Sequence, residues 1–176
     1  MNDLRARLNA ITDNGQPASH PRLIDVLRSA FRHTVEIRAH KLPNHLYTCV
    51  MHALNLIEND EYKSIALVTP KDIFASPRFV ERLIRKNILQ ELDDPTKGDL
   101  VVYFDSISVM HIGRLLSESR VESKWGIGHL YHHGLFEVPE RYGSIVRYFI
   151  PISSDVALDE YVAYAREHGV KFHGDS

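Results

Sequence analysis

Apolar positions recur along the chain at two different periods, and the change of period divides it. Leu23, Ile24, Leu27, Ala30 and Phe31 fall at helical spacing, which predicts an amphipathic helix from Pro21 to Arg32 with Pro21 in its first turn. Val50, Ala53, Leu54 and Ile57 gather on one face of a second helix that begins near Cys49 and ends at Asn59-Asp60. Ser64 to Val68 is a short apolar run, read as a strand or a buried loop. Ile73, Phe74, Phe79, Val80, Leu83 and Ile84 predict one helix over Asp72 to Lys86, or two short ones broken before Pro77.

After Asp93 to Gly98 the period becomes two. Asp99 to Asp105, Val109 to Leu116, Arg120 to Trp125 and Ile145 to Ile152 read as strands, and the short turns between them predict antiparallel hairpins. Thr34 to Ile37 is a shorter β-like piece, and Pro43-Asn44-His45 reads as the turn into the Cys49 helix. Gly126 to Gly143 reads as a loop with one helical turn. Ser153-Ser154-Asp155 offers N-caps for a final helix that Gly169 stops. The tail 173–176 reads as frayed. Helices followed by a meander of strands make an α+β pattern. Residues 1–19 read as a short helix or loose arm, and 20–172 as one domain.

Composition narrows the function classes without choosing among them. The chain has 176 residues, 44% hydrophobic and 25% charged, with a formal net charge of −2, so nothing global draws it to nucleic acid or to an anionic membrane. One cysteine excludes an internal disulfide framework. The charged start Met1 to Leu8 lacks the apolar core of a signal peptide. A cytoplasmic protein is the expectation, and a leaderless secreted effector would look the same. Phosphate-cradling glycine motifs are absent, and Gly126-Ile127-Gly128 alone is too short to count.

The chemistry gathers on Cys49. At a helix start its thiol would meet unpaired backbone N–H groups, and a lone thiol with histidines elsewhere is a candidate nucleophile. The plain alternative is a small buried core residue. His111 shares a strand face with Gly113 and Leu115, opposite Met110, Ile112 and Arg114. With open space beside Gly113, that face suits a Cys–His dyad in which His111 takes the thiol proton. A third member would orient His111, and His129, Glu122 and Ser123 are the candidates. Trp125 and Tyr131 are candidates to wall a cleft, or else core aromatics, and His133 joins them as a substrate-binding candidate. A zinc site built from His129, His132 and His133 with Cys49 and His52 has suitable ligand types but no compact spacing motif. No metal and no cofactor are therefore expected.

The order of these residues resembles a known superfamily. A cysteine at a helix start, then Gly98-Asp99-Leu100-Val101-Val102-Tyr103, then His111-Ile112-Gly113, resembles the NlpC-type papain-like cysteine peptidases and amidases. Ser123-Lys124-Trp125-Gly126, His129, His133, Val138-Pro139 and Tyr142-Gly143 look like an uncharacterised branch of it. The likeness runs from about Leu46 to Phe149. It implies a papain-like fold, with the Cys helix packed on a mostly antiparallel sheet and a C-terminal helix. It also implies Cys49 as nucleophile, His111 as base, and a third polar residue among Glu122, Ser123 and His129. Around the nucleophile the better-known members have Asp-Cys-Ser, whereas this chain has Thr48-Cys49-Val50. The implied activity is a cysteine hydrolase or acyl transferase on a peptide or other amide, with a protein as one substrate class. From another class, the alternative is a non-catalytic papain-like domain that binds a protein partner.

Overall fold

Strand β3 (Leu100–Asp105) reads LVVYFD, with no polar residue until its end, because both of its faces are covered. Leu100, Val102 and Phe104 point to one side and Val101 and Tyr103 to the other, each into its own core. The computed structural model describes residues 2–14, 16–38, 47–68, 73–126 and 128–172. The expected turn at 43–45 and the tail 173–176 lie outside them.

The sheet is open and entirely antiparallel. Besides β3 it contains β1 (Glu36–Arg38), β2 (Glu91–Leu92), β4 (Ser108–Ser117), β5 (Arg120–Lys124), β6 (Leu130–Gly134) and β7 (Ile145–Phe149). Their order is β1-β6-β5-β4-β3-β7-β2. The helices divide between its faces. On the first face, α3 (Cys49–Ala53), α5 (Pro77–Arg85) and α6 (Ser154–Glu167) pack over Leu100, Val102, Phe104, Ile112 and Phe149, with Tyr62 of α4 (Asp60–Val68) in the same core. On the second, α1 (Asn2–Asn14) and α2 (His20–Ala30) lay Leu4, Leu8, Ile24 and Leu27 against Val101, Tyr103, Leu115, Val121 and Tyr131. The expected α+β class holds. Among the described residues no helix is long and apolar enough to cross a membrane.

Two expectations change, and of the two readings of residues 1–19 the helix is the one that holds. Helix α1 buries Leu4 and Leu8, each worth roughly 1.5–3 kcal/mol. Its Arg5 guanidinium donates to the carbonyls of Val138 (3.2 Å), Pro139 and Glu140 (3.4 Å each) and Gly143. Ser64 to Val68 is neither strand nor loop but the second half of α4, whose Asn59 side chain caps the Tyr62 amide at 2.9 Å. The stretch 126–143 holds strand β6 as well as the one helical turn, Glu140–Tyr142.

A register shift in the β3–β4 pair sets which way β4 presents its residues. Tyr103 faces His111 and Phe104 faces Val109, so Met110 is bulged out with no opposite number. Val109 and Ile112 thereby enter the first core, and His111 turns to the second face beside Tyr103.

Gly143 closes the 140–142 turn over the end of β3. Its φ is +91°, and a Cβ there would lie 2.3 Å from the Phe104 carbonyl oxygen. Gly169, with φ +84°, has nothing within 4 Å. Gly143→Ala is therefore expected to cost about 3 kcal/mol or more, through strain plus overlap with backbone, and Gly169→Ala about 1 kcal/mol through strain alone. Urea unfolding of the two variants checks this, and equal losses would contradict it.

Candidate active site

Cys49 is the first residue of α3, as its sequence position suggested, and local contacts fix it there. Thr48 is extended (φ −100°, ψ 166°), and its Oγ1 accepts from the Met51 amide at 3.2 Å. The same hydroxyl donates to the Ala75 carbonyl at 2.8 Å, tying the helix start to the chain before α5. Val50, Met51 and Ala53 are buried. The Arg114 guanidinium of β4 donates to the Ala53 carbonyl at 2.8 Å, holding the other end of α3 to the sheet.

The thiol lies where the sheet parts. The β4–β5 ladder runs from Ser117/Arg120 through Leu115/Val121 to Arg114/Glu122 and stops. Beyond that point Lys124 pairs only with Leu130 of β6. The Ile112 amide of β4, level with the gap, is directed at the Cys49 sulfur. Lys124 closes the other side: it is 0% exposed, its ammonium donates to the Gly126 carbonyl at 2.6 Å, and it lies 5.6 Å from the centre of the Tyr47 ring. Burial lowers Lys124 to about 8, and the neighbouring Cys49 opposes that shift.

The thiol itself is pushed up from its ordinary range. Desolvation is the largest cause, and the Ile112 and Val50 amides and the Lys124 charge oppose it without overcoming it. A thiolate favoured by the helix start is thus not the resting state. With five residues, α3 has little dipole to set against burial.

His111 leaves β4 on the other side. It is 1% exposed, stacked on Tyr142 (ring centres 3.9 Å apart, planes 4° apart) and tilted over Tyr103 at 5.7 Å. Burial first, and then the nearby His133, His52 and Lys124, hold its pKa well below the usual value, so the imidazole is neutral at pH 7. Its Nε2 has no hydrogen-bond partner among the described residues. No hydrogen bond joins it to Cys49 among the described residues. The expected open space at Gly113 is filled: a Cβ there would meet the Glu122 carbonyl oxygen at 2.7 Å and Val121 Cγ1 at 2.8 Å. Helix α3 packs instead on the Ile112 and Arg114 side, and only the gap brings Cys49 and His111 to the same level of the sheet.

None of the candidate third members touches His111. Glu122 points to the first face, 3.1 Å from His52 Nε2 and 2.6 Å from His132 Nε2. The His52 contact, with help from His132, holds it at about 2 against the effect of burial. The Tyr47 hydroxyl, 2.7 Å from His52 Nδ1, extends this chain. Ser123 is buried on the second face, where it accepts from Trp125 Nε1 at 3.0 Å and bonds His133 Nε2 at 2.8 Å. Because His133 Nδ1 donates to the Gly134 carbonyl at 2.9 Å, its Nε2 is the acceptor and the ring is neutral. His129 donates from Nε2 to the Pro17 carbonyl at 2.8 Å.

The cleft-wall candidates are core residues. Trp125 and Tyr131 are fully buried and stacked, ring centres 4.1 Å apart, and His133 is buried with them. Strand β6 sends His132 and His133 to opposite faces, which takes the zinc ligands apart. Among the described residues no group of three or more His, Cys, Asp or Glu could hold a metal ion. Two residues at the gap escaped sequence reasoning as chemical groups, Lys124 and Tyr142. Both stand in the motifs of the resemblance, but only the tertiary fold shows that they are buried.

Compared with protein-family models, with curated proteins and with solved structures, the chain matches none.

The buried histidines make stability depend on acid. His133 titrates at about 4 in the fold because burial disfavours its charged form, against 6.5 unfolded, and His111 is lowered too. The unfolded chain therefore binds more protons in that window. Stability is full above pH 6.5 and falls as pH drops through 4, by on the order of 3 kcal/mol for His133 alone. Urea denaturation across that range tests it, and a flat profile would count against neutral buried imidazoles.

Proposed function

We propose that the chain is a papain-like cysteine hydrolase or acyl transferase that acts on an amide bond, with Cys49 as nucleophile and His111 as base. The observation that carries this is what converges at the gap in the sheet. A backbone amide and a buried ammonium address the Cys49 sulfur, and a neutral imidazole with a spare nitrogen lies at the same level. The order of the Cys helix, the GDLVVY strand, the HIG strand and the SKWG segment agrees with the papain-like resemblance, as does a helix carrying the cysteine on an antiparallel sheet. Substrates of this reading are peptides or other amides, a protein included.

The sulfur starts as a thiol. On attack its proton passes to neutral His111, the S–C bond forms, and the Ile112 amide and Lys124 ammonium offset the charge that grows on sulfur. The imidazolium then protonates the leaving amine, and a thioester remains for water or a second amine to clear. Lys124 serves as a cation here, so the rate falls as it loses its proton near pH 8, whereas His111 remains a base well below pH 6.5.

A second reading has an observation of its own. Ile107 (90% exposed), Met110 and Ile145 present apolar surface at the β3–β4 turn, as a protein-binding domain would, and a half-buried thiol that desolvation keeps protonated fits a scaffold. Acylation of the folded protein by p-nitrophenyl acetate separates the two. The catalytic reading expects one acetyl group on Cys49, formed about a hundredfold more slowly in His111→Ala, at a rate that falls above pH 8 in wild type and is already low, with no such fall, in Lys124→Met. Modification only after unfolding would leave the binding reading standing.

A further inference from the structure

The stacked rings of His111 and Tyr142 share an oddity: His111 Nε2 and the Tyr142 hydroxyl are both buried without a hydrogen-bond partner among the described residues. Native proteins keep few such groups because each forfeits its hydration. The thiol reading gives His111 a task. Tyr142 has none.

Tyr142 is 7% exposed and rigidly held. It ends the 140–142 turn, which Gly143 presses onto the Phe104 carbonyl and which Arg5 grips through four carbonyls. Its hydroxyl lies beside Gly126, 3.9 Å from where a Cβ would stand. The Gly126 carbonyl is the acceptor of the Lys124 ammonium, and Lys124 faces the thiol. Tyr142 and Cys49 also act on each other electrostatically. The hydroxyl is thus on the rim of the same gap. Arg141 and the Gly126 amide are near it, but neither makes a hydrogen bond of normal geometry with it, and Arg141 is engaged by Asp13 of α1. Burial pushes the phenol up to about 12, so it is a donor at neutral pH.

A fixed donor without an acceptor, next to two cations and a nucleophile, suits an oxygen that is about to become negative. We propose that the Tyr142 hydroxyl binds the carbonyl oxygen of the acyl group that Cys49 attacks. The inference rests on Cys49 being the nucleophile. As the S–C bond forms, the carbonyl π pair moves onto oxygen and is held by the Tyr142 O–H. When that pair returns, the bond to the leaving group breaks and the thioester is left. With p-nitrophenyl acetate the leaving group is p-nitrophenolate, and the thiol proton passes through His111 to solvent.

Two reagents tell an oxyanion donor from a structural ring. Acylation by p-nitrophenyl acetate develops an oxyanion, whereas alkylation by iodoacetamide, a displacement at carbon, does not. Tyr142→Phe keeps the ring and removes a hydroxyl without a hydrogen-bond partner among the described residues, so its melting temperature should equal or exceed that of wild type. Its acetylation of Cys49 should slow about a hundredfold, with alkylation unchanged. Equal acetylation in variant and wild type would overturn the role of Tyr142 and leave the nucleophile intact, as would both reactions slowing together. A wild-type protein that resists both reagents when folded would overturn the nucleophile and the Tyr142 role with it.

Discussion

A strand buried on both faces must pair its backbone groups sideways, and at Ile112 the sideways neighbour is a sulfur atom. The rest of the site follows from that substitution. Because β5 leaves β4 after Glu122, the helix that begins at Cys49 can set its first side chain against the strand that carries His111. Had the ladder continued, a carbonyl of β5 would occupy that place and Cys49 would be one more small core residue.

The groups around the gap are unfavourable by the ordinary rules of folding. Among the described residues Lys124 keeps its ammonium out of water with a single carbonyl acceptor and a ring face for company. His111 and Tyr142 hold polar atoms without partners. The two cores on either side of the sheet, with Arg5 and Arg82 fastening the outer helices, supply the stability that tolerates this. Arg82 is almost wholly buried yet bonded to Glu160 and Glu167 of α6, a fully satisfied cation in contrast to Lys124. Asn9, His33 and Tyr62 also carry buried polar atoms without a partner among the described residues, but at the gap two such atoms lie on stacked rings close to a buried ammonium, as a reactive site would have them.

What the sequence disclosed and what it hid divide along the range of the interactions involved. Strand β3 was legible as an unbroken apolar run and β4, β5 and β7 as further β-type runs, and so were the capped start of α6 and the helical position of Cys49, since local pattern determines them. Strand β6 was not. Leu130 to Gly134 carries two histidines, a tyrosine and a glycine, and it is extended because β1 and β5 flank it. Misreading it as loop made His129, His132 and His133 look like a cluster, when alternation sends the last two to opposite faces. The two-residue β2 exists only through its pairing with β7. His111, Gly113 and Leu115 were read onto one face of β4 correctly, but the sequence could not show that Met110 bulges out, that α3 packs on the Ile112 side or that the ladder ends there. Glu122 and Ser123 were expected to orient His111, and their partners are His52, His132 and His133 instead.

The claim that the Cys49 sulfur sits in a gap governed by Lys124 is open to direct titration, because the chain has a single cysteine. The carbon-13 shift of the Cys49 Cβ, followed with pH, reports thiol ionisation at that one site. In wild type the transition should come above the ordinary thiol range, where Lys124 has lost most of its charge, and Lys124→Arg, whose charge persists, should bring it lower. A transition that ignores Lys124, or one that falls below the ordinary range, would contradict the account.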